Sequence, residues 1–289
     1  MMTNFAKSLL SRARDYLSAR QVDLLKLQHD VALRAVWTQS LASATNPLNK
    51  FGAKYFSQAD EDGITLEVVR RLGVVNGTFA ELGVGDGLEN NTLILLASGW
   101  RGCWIGGQDL AFNPNINPAR LVFIKSWISL ENIVASLRAG FARIAASNVD
   151  VVSLDLDGND YYFVREILKA GILPKLFIVE YNAKFPPPIK WTIKYDGDHH
   201  WDGTDYYGAS IALFSELFAK YSYTLVCCNA VTGVNAFFVQ NEYLPRFADV
   251  PKKTEDIFVG TTYQLFERWG SAPSLKTIEQ MLSTNSQTE

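Results

Sequence analysis

Cysteine is scarce in this 289-residue chain. Cys103, Cys227 and Cys228 form an odd set in apolar, strand-like runs, with no C-x-x-C spacing. That speaks against a disulfide framework or a cysteine zinc site and predicts three buried thiols in a reducing cytoplasm. No apolar run approaches the ~18 residues that a membrane span needs, and the N-terminus lacks an uninterrupted apolar segment. No basic patch with interleaved aromatics occurs in the body, so nucleic acid is not an expected partner. Internal repeats are absent as well. Residues 3–43 lack both glycine and proline, and Phe5, Leu9, Ala13, Tyr16, Ala19, Val22, Leu25, Ala32 and Val36 recur there at mostly three- or four-residue steps. This spacing predicts one long amphipathic helix, or two.

Hydrophobic residues make up 48% and aromatics 12% of the chain, which excludes a disordered protein and suits a sheet covered on both faces. The net charge of -3 is unevenly spread: residues 1–50 hold seven Lys and Arg against three Asp, or +4, leaving −7 for the rest. A basic helical arm ahead of an acidic body can serve dimerisation, peripheral membrane contact, or capping of the body. Asp15, Asp23 and Asp30 dilute a membrane-binding face and favour packing against protein. Asn46-Pro47-Leu48-Asn49 marks the boundary. The expected division is a helical extension over 1–50, an α/β domain over 51–250, and a C-terminal helix with a frayed tail over 251–289.

The most informative stretch is Phe79-Ala80-Glu81-Leu82-Gly83-Val84-Gly85-Asp86-Gly87-Leu88-Glu89, where a short strand runs into glycines at every second position and a helix follows. Such a turn lets backbone approach a ligand without a Cβ in the way, and the helix beyond it adds free N–H groups. A dinucleotide loop wants a glycine where Leu88 stands. Glu81, Asp86 and Glu89 would repel a pyrophosphate yet suit a cationic sulfonium and ribose hydroxyls, so S-adenosylmethionine fits better than NAD. Glu-x-Gly-x-Gly-x-Gly resembles the first motif of class I methyltransferases, in which the acid matching Glu81 lies near the methionine end of the cofactor. The alternative is a tight turn without a ligand.

Further strands are expected at Gly102–Ile105, Leu121–Ile124, Val151–Leu154 and Leu176–Val179, followed by a strand pair at Tyr223–Cys228 and Val234–Val239. Ahead of them, Ser57-Gln58-Ala59-Asp60-Glu61-Asp62 predicts a helix start with Ser57 as N-cap, and Gln58 or Asp62 could also reach a ligand. The second strand ends in Gly106-Gly107, where the methyltransferase pattern usually has an acid for the ribose. Gln108 or Asp109 must then be brought back to the ribose, or the cofactor is held differently or not at all. Strand four runs into Asp155-Leu156-Asp157 and strand five into Glu180-Tyr181-Asn182, delivering acids to the sheet edge where open α/β proteins bind ligands. Residues 183–207 form a long insertion rich in proline, aromatics and Asp, a length of loop that is usually functional.

From Phe56 to about Val239 the whole pattern resembles the FkbM-type methyltransferases. The resemblance rests on Ser57-Gln58 with Glu61-Asp62-Gly63, the glycine motif, Leu154-Asp155-Leu156-Asp157-Gly158 and Val179-Glu180. Trp201-Asp202-Gly203-Thr204-Asp205-Tyr206-Tyr207-Gly208 is similar to a subgroup found near polysaccharide biosynthesis genes. It implies a Rossmann-like, seven-stranded, mostly parallel sheet with the last strand antiparallel, and O-methylation of a hydroxyl on a sugar or glycan intermediate. A non-catalytic module that binds a glycan intermediate or a partner enzyme is the alternative. Asp155 and Asp157, and likewise Glu180 and Asn182, are spaced two apart and can face one site, a set similar to that of catechol and macrocin O-methyltransferases and suited to Mg²⁺ or Mn²⁺. Otherwise Asp157 and Asp160 cap the next helix and Glu180 pairs with a lysine. His199 and His200 would face opposite ways on an extended loop, so at most one serves, more plausibly as general base oriented by Asp202 than as ligand.

Overall fold

The computed structural model describes residues 2–261, 264–265, 268–269 and 272–283. Two compact units divide at Ser43. The first is a single helix, α1 (Met2–Ser43), whose lack of glycine and proline leaves nothing to interrupt it. Leu17, Leu24, Leu27 and Val31 are all exposed along it.

The second unit carries α2 (Glu61–Leu72), β1 (Thr78–Leu82), α3 (Leu93–Ala97), β2 (Arg101–Gly106), β3 (Leu121–Lys125), α4 (Ile133–Arg143), β4 (Val151–Leu154), α5 (Asp160–Lys169), β5 (Leu176–Glu180), α6 (Ile211–Ala219), β6 (Tyr223–Cys228) and β7 (Asn235–Gln240). All seven expected strands form. They make one sheet in the order β3-β2-β1-β4-β5-β7-β6, parallel except for β7, which runs antiparallel to both β5 and β6. This is the seven-stranded Rossmann-like sheet that the resemblance implied. β1 leads outward to β2 and β4 leads the other way to β5, so the crevice between the ends of β1 and β4 is the topological switch point.

Alternate strand residues feed two cores. Ala80, Leu82, Val152 and Leu154 pack with Leu137 and Phe141 of α4 and Val164 and Ile167 of α5. Phe79, Trp104, Val151 and Ile178 pack on the other face with Ile64, Val68 and Leu72 of α2. The three cysteines are free and buried within these layers, and burial pushes the Cys103 and Cys228 thiols up to about 12. No helix among the described residues is long and apolar enough to cross a membrane.

Three expectations are corrected here. The body starts before residue 51, because the Asn46 amide donates to the Val226 carbonyl and the Asn49 amide to the Cys228 carbonyl, anchoring this segment on β6. Ser57 is not the cap of α2, which begins at Glu61 after Asp60. The acids there serve the fold: Asp62 Oδ2 accepts from the backbone N–H groups of Tyr55, Phe56 and Ser57 at 2.6–2.9 Å, and Asp60 accepts from Ala230 and Val231. Asp62→Ala would leave three donors without their acceptor, and an unmade buried hydrogen bond is expensive. We expect a loss on the order of 3 kcal/mol, read from urea melts. A loss within about 0.5 kcal/mol, ordinary for a surface change, would show that water replaces the carboxylate.

The segment after Pro251 is not one peripheral helix. It forms α7 (Thr254–Ile257), a two-residue ladder of β8 (Gln264–Leu265) with β9 (Arg268–Trp269), and α8 (Leu275–Ser283). Asp205 of the insertion accepts from Ser274 N and Thr277 Oγ1 at 2.8 Å, so it caps α8 and ties it to the insertion. The tail expected after Ser283 lies outside the described residues.

Candidate active site

Glu81, one residue before the end of β1, forms the inner wall of the crevice. Its Oε1 accepts from Asn91 N at 2.9 Å, and its Oε2 from Thr92 N at 3.0 Å and from the Thr92 hydroxyl, which in turn takes the Trp104 indole N–H at 2.9 Å. The carboxylate thus gathers the free donors ahead of α3. Burial nonetheless raises its pKa to about 7, against the lowering effect of these hydrogen bonds. Above it the glycine turn takes left-handed backbone at Gly83 (φ 87°), Gly85 (φ 52°) and Gly87 (φ 86°). A Cβ on Gly83 would fall 1.6 Å from the Asp155 carbonyl oxygen, whereas one on Gly85 would meet nothing within 4 Å. Gly83 therefore joins β1 to the end of β4, and Gly85 faces open space.

That space is a cavity of about 250 Å³ at the switch point, walled by Glu81, Asp86, Glu89, Asp155, Asp157 and Glu180, with the amides of Gln58, Asn90, Asn91 and Asn235. No lysine or arginine lines it. One oxygen from each of Asp155, Asp157 and Glu180 lies within 4.8 Å of the others. Asp155 and Glu180 therefore stand side by side as like charges in a buried place. Burial first, and then the charges of their acidic neighbours, push both well above the usual carboxylate range. Glu180 Oε2 is buried without a hydrogen-bond partner, and Asn90 Oδ1 shares that condition. A lining of acceptors with two unmet oxygens is chemically a receptor for cationic groups.

Asp160 accepts from Leu156 N and Gly158 N, both at 2.8 Å, and so closes the turn after β4. Burial raises its pKa to about 6 despite these bonds. Neither acid expected as an alternative cap takes that role: Asn159 holds the N-cap position, Asp160 is the first residue of α5, and Asp157 sits exposed in left-handed backbone (φ 53°) at the cavity mouth. The lysine offered as a partner for Glu180 is not found among the described residues.

Several sequence candidates stand elsewhere. Asn182 leaves the cluster: its amide donates to the Asp205 and Tyr207 carbonyls at 2.9 Å and its oxygen accepts from Lys184 N, so the insertion claims it. Asp109 is 84% exposed and paired with Lys125 at 2.7 Å, because the parallel register puts Lys125 beside Gly106. Neither Asp109 nor Gln108 lines the cavity. Asp202 does not orient a histidine; its Oδ1 accepts from Thr204 N and the Thr204 hydroxyl. His200 stacks on Trp127 (4.8 Å, 23°) with Nδ1 on the Asp198 carbonyl. His199 packs over Gly158, where a Cβ would come within 2.4 Å of its ring. It borders a separate smaller cavity instead of the acidic one.

The amides of Asn90, Asn91 and Asn235 were missed. Asn91 and Asn90 lie two and three residues ahead of α3, a position that could have flagged them. Asn235 faces Glu180 across the β5–β7 register, and no local pattern reveals that pairing.

No family model matches this chain, and no curated protein matches it. Solved structures do. A protein described as a hemolysin from Streptococcus thermophilus is 10% identical over 66% of this chain and 70% of its own, with a TM-score of 0.40. A Burkholderia thailandensis 1,6-didemethyltoxoflavin-N1-methyltransferase, with its acceptor and S-adenosylhomocysteine bound, is 16% identical over 78% and 88%, with a TM-score of 0.34. An O-methyltransferase from Bacillus cereus in complex with SAH is 14% identical over 71% and 88%, also at 0.34. At these values the likenesses say nothing of substrate or chemistry, which rest on the site itself.

Proposed function

We propose that the chain is an S-adenosylmethionine-dependent O-methyltransferase acting on a hydroxyl of a sugar or glycan intermediate. The observation that carries this reading is the acidic cavity at the switch point, without a lysine or arginine in its lining, under a turn whose Gly85 leaves the space open. S-Adenosylmethionine, when bound, supplies an electrophilic methyl on a sulfonium. The residues present fit its charge: Glu81 and Asn90 offer acceptors to the ammonium end, and the Gln58 amide and the backbone of the glycine turn offer donors to its carboxylate. Burial raises the proton affinity of Asp155 and Glu180, which suits them to take a proton from an acceptor hydroxyl, and the base role passes from the histidines to them. The glycan acceptor rests on the resemblance of residues 201–208.

Asp155, Asp157 and Glu180 also fit Mg²⁺ or Mn²⁺, since the unmet Glu180 Oε2 and hard oxygen donors suit such an ion. When bound, the ion would lower the pKa of an acceptor hydroxyl. α1 is read as an arm for assembly of a homo-oligomer, from its row of exposed leucines; shortening the chain to 44–289 should lower the assembly number seen by light scattering.

A second reading, a non-catalytic binding module, is favoured by the end of β2. There Asp109 is paired away from the cavity, and a Cβ on Gly106 would meet Val84 at 2.8 Å. Calorimetric titration with S-adenosylmethionine and S-adenosylhomocysteine, followed by methyl transfer to sugar acceptors with and without chelator, decides between them. Absence of heat with both ligands would reject the enzyme.

A further inference from the structure

α8 is amphipathic the wrong way round. With about 3.6 residues per turn, Leu275, Ile278, Met281 and Leu282 fall along one side of it and Thr277 and Gln280 along the other. A surface helix ordinarily turns its apolar side to the protein. Here the polar side faces inward: the Thr277 hydroxyl donates to Asp205 Oδ1 at 2.8 Å, the Gln280 amide donates to the Thr192 carbonyl at 2.7 Å, and the Gln280 oxygen accepts from the Tyr206 hydroxyl at 3.2 Å. Lys276 lies 5.5 Å over the Tyr206 ring. The apolar side is left in solvent, with Leu275 77% and Leu282 80% exposed and Ile278 and Met281 exposed between them. Polar bonds thus fix α8 on the insertion, and its hydrophobic surface is kept for something else.

Charge and size decide what covers this side. A lipid surface is disfavoured: an interfacial helix is rich in Lys and Arg, whereas α8 has Lys276 alone, engaged with Tyr206, and Glu279 beside its apolar side, in an acidic body. A second α8 is too small, because a helix of nine residues is about 14 Å long and a stable interface takes roughly 800 Å² from each partner. α1 has the complementary features. Its 42 residues make a rod roughly 60 Å long, with Leu17, Leu24 and Val31 at seven-residue steps, Leu27 between them, and all four exposed, as in the seam of paired helices. Arg20 and Arg34 follow Leu17 and Val31 by three residues, the position that Leu27 holds after Leu24, so an in-register pair of α1 helices would set each arginine against its own copy. A helix with a carboxylate at the edge of its apolar side suits that seam better, and the exposed Glu279 supplies one.

We infer that the apolar side of α8 is the docking surface for α1 of a second copy of this chain, with Leu275, Ile278 and Leu282 against the row along residues 17–31 and Glu279 meeting the arginines of that row. Two chains that exchange arms make the contact twice and close as a dimer. The inference rests on the reading of α1 as an assembly arm and names the surface that the arm takes. The contact also bears on the acidic site, because Asp205, which holds α8, gives its carbonyl to the amide of Asn182, two residues beyond Glu180.

The test uses the full chain, sedimentation velocity over a concentration series, and melts to report folding. Leu275→Ser with Leu282→Ser should leave the melt unchanged, since both side chains stand in solvent, and should raise the dissociation constant of the assembly at least about 100-fold. Leu24→Ser with Leu27→Ser should do the same from the other side of the contact. Glu279→Arg should weaken assembly about 3- to 10-fold, and adding Arg20→Glu and Arg34→Glu should restore it. Assembly that survives the α8 changes but not the α1 changes overturns the inference and leaves the arm reading standing, as does a failure of the restoring pair. A parent that is monomeric at every concentration, or assembly indifferent to the α1 changes, overturns both. Flotation with vesicles of phosphatidylcholine and phosphatidylglycerol should leave the parent unbound; binding that disappears with Leu275→Ser and Leu282→Ser assigns the surface to lipid and overturns the inference.

Discussion

Gly83→Ala is expected to prevent the second unit from folding, whereas Gly85→Val is expected to leave it folded and to abolish S-adenosylmethionine binding. The two glycines stand two residues apart in the same turn, both in left-handed backbone, yet they face different surroundings. At Gly83 a single methyl would lie 1.6 Å from the Asp155 carbonyl oxygen and 2.7 Å from its carbon. That obstacle is backbone, fixed by the hydrogen bond from Asp155 N to the Leu82 carbonyl, so relief requires parting β1 from β4 at the centre of the sheet. A loss beyond about 4 kcal/mol follows, in the range reserved for steric failure in a core. At Gly85 the cost is the left-handed backbone alone, about 1–2 kcal/mol. The valine side chain then projects into the space that the ligand needs. Circular dichroism with urea melts reads the first effect and calorimetry the second. If Gly85→Val is folded and binds like the parent, the turn is not a ligand site. If Gly83→Ala melts like the parent, the contact with β4 is looser than described.

These residues also show what a sequence can reveal. The strands were readable because central parallel strands are apolar on both faces, and each of the runs at 79–82, 102–105, 121–124, 151–154 and 176–179 falls within its strand. The ends of β1, β4 and β5 followed directly, since a strand that finishes in an acid delivers it to the carboxyl edge. Glu81, Asp155, Asp157 and Glu180 therefore do line one cavity. What failed was everything set by contacts far along the chain. Asn182 continues the two-residue spacing from Glu180, but the insertion draws its amide to Asp205 and Tyr207. Asp109 was a reasonable substitute for a missing acid until the β2–β3 register placed Lys125 beside it. The acids of residues 60–62 looked like helix-dipole partners. Glu61 and Asp62 do stand in the first turn of α2, but Asp60 and Glu61 also bind Asn229, about 170 residues away, as long-range ties that no periodicity encodes.

Replacing Glu180 by glutamine should stabilise the metal-free protein at pH 8 while removing any stabilisation by Mg²⁺ or Mn²⁺. Glu180, Asp155, Asp160 and Glu81 all have folded pKa values above their unfolded ones, chiefly through burial. Between the unfolded and folded values the native state holds more protons than the unfolded chain, so stability falls as pH rises. The stabilising contribution of each group is full below about 4 and is lost as pH climbs through about 6 for Asp160 and about 7 for Glu81. Carrying Glu81 from 4.5 to about 7 corresponds to roughly 3 kcal/mol. Carboxylates held low by partners, such as Glu67 beside Arg70 and Glu216 beside Lys190, titrate below this window and do not offset the slope. Glutamine keeps the shape of Glu180, removes its charge from beside Asp155, and brings an N–H donor into a cluster of acceptors. The melting temperature at pH 8 should rise by about 2 °C or more, on the scale of 2–4 °C per kcal/mol for a unit of this size. The decline between pH 5 and pH 8 should become shallower. In the parent, a cation that binds the folded state alone raises the melting temperature with its concentration, and the variant should lose that response for want of one of three carboxylates. A variant that melts below the parent at pH 8 would mean that Glu180 is not under electrostatic strain, and an undiminished response to cation would place the ion elsewhere.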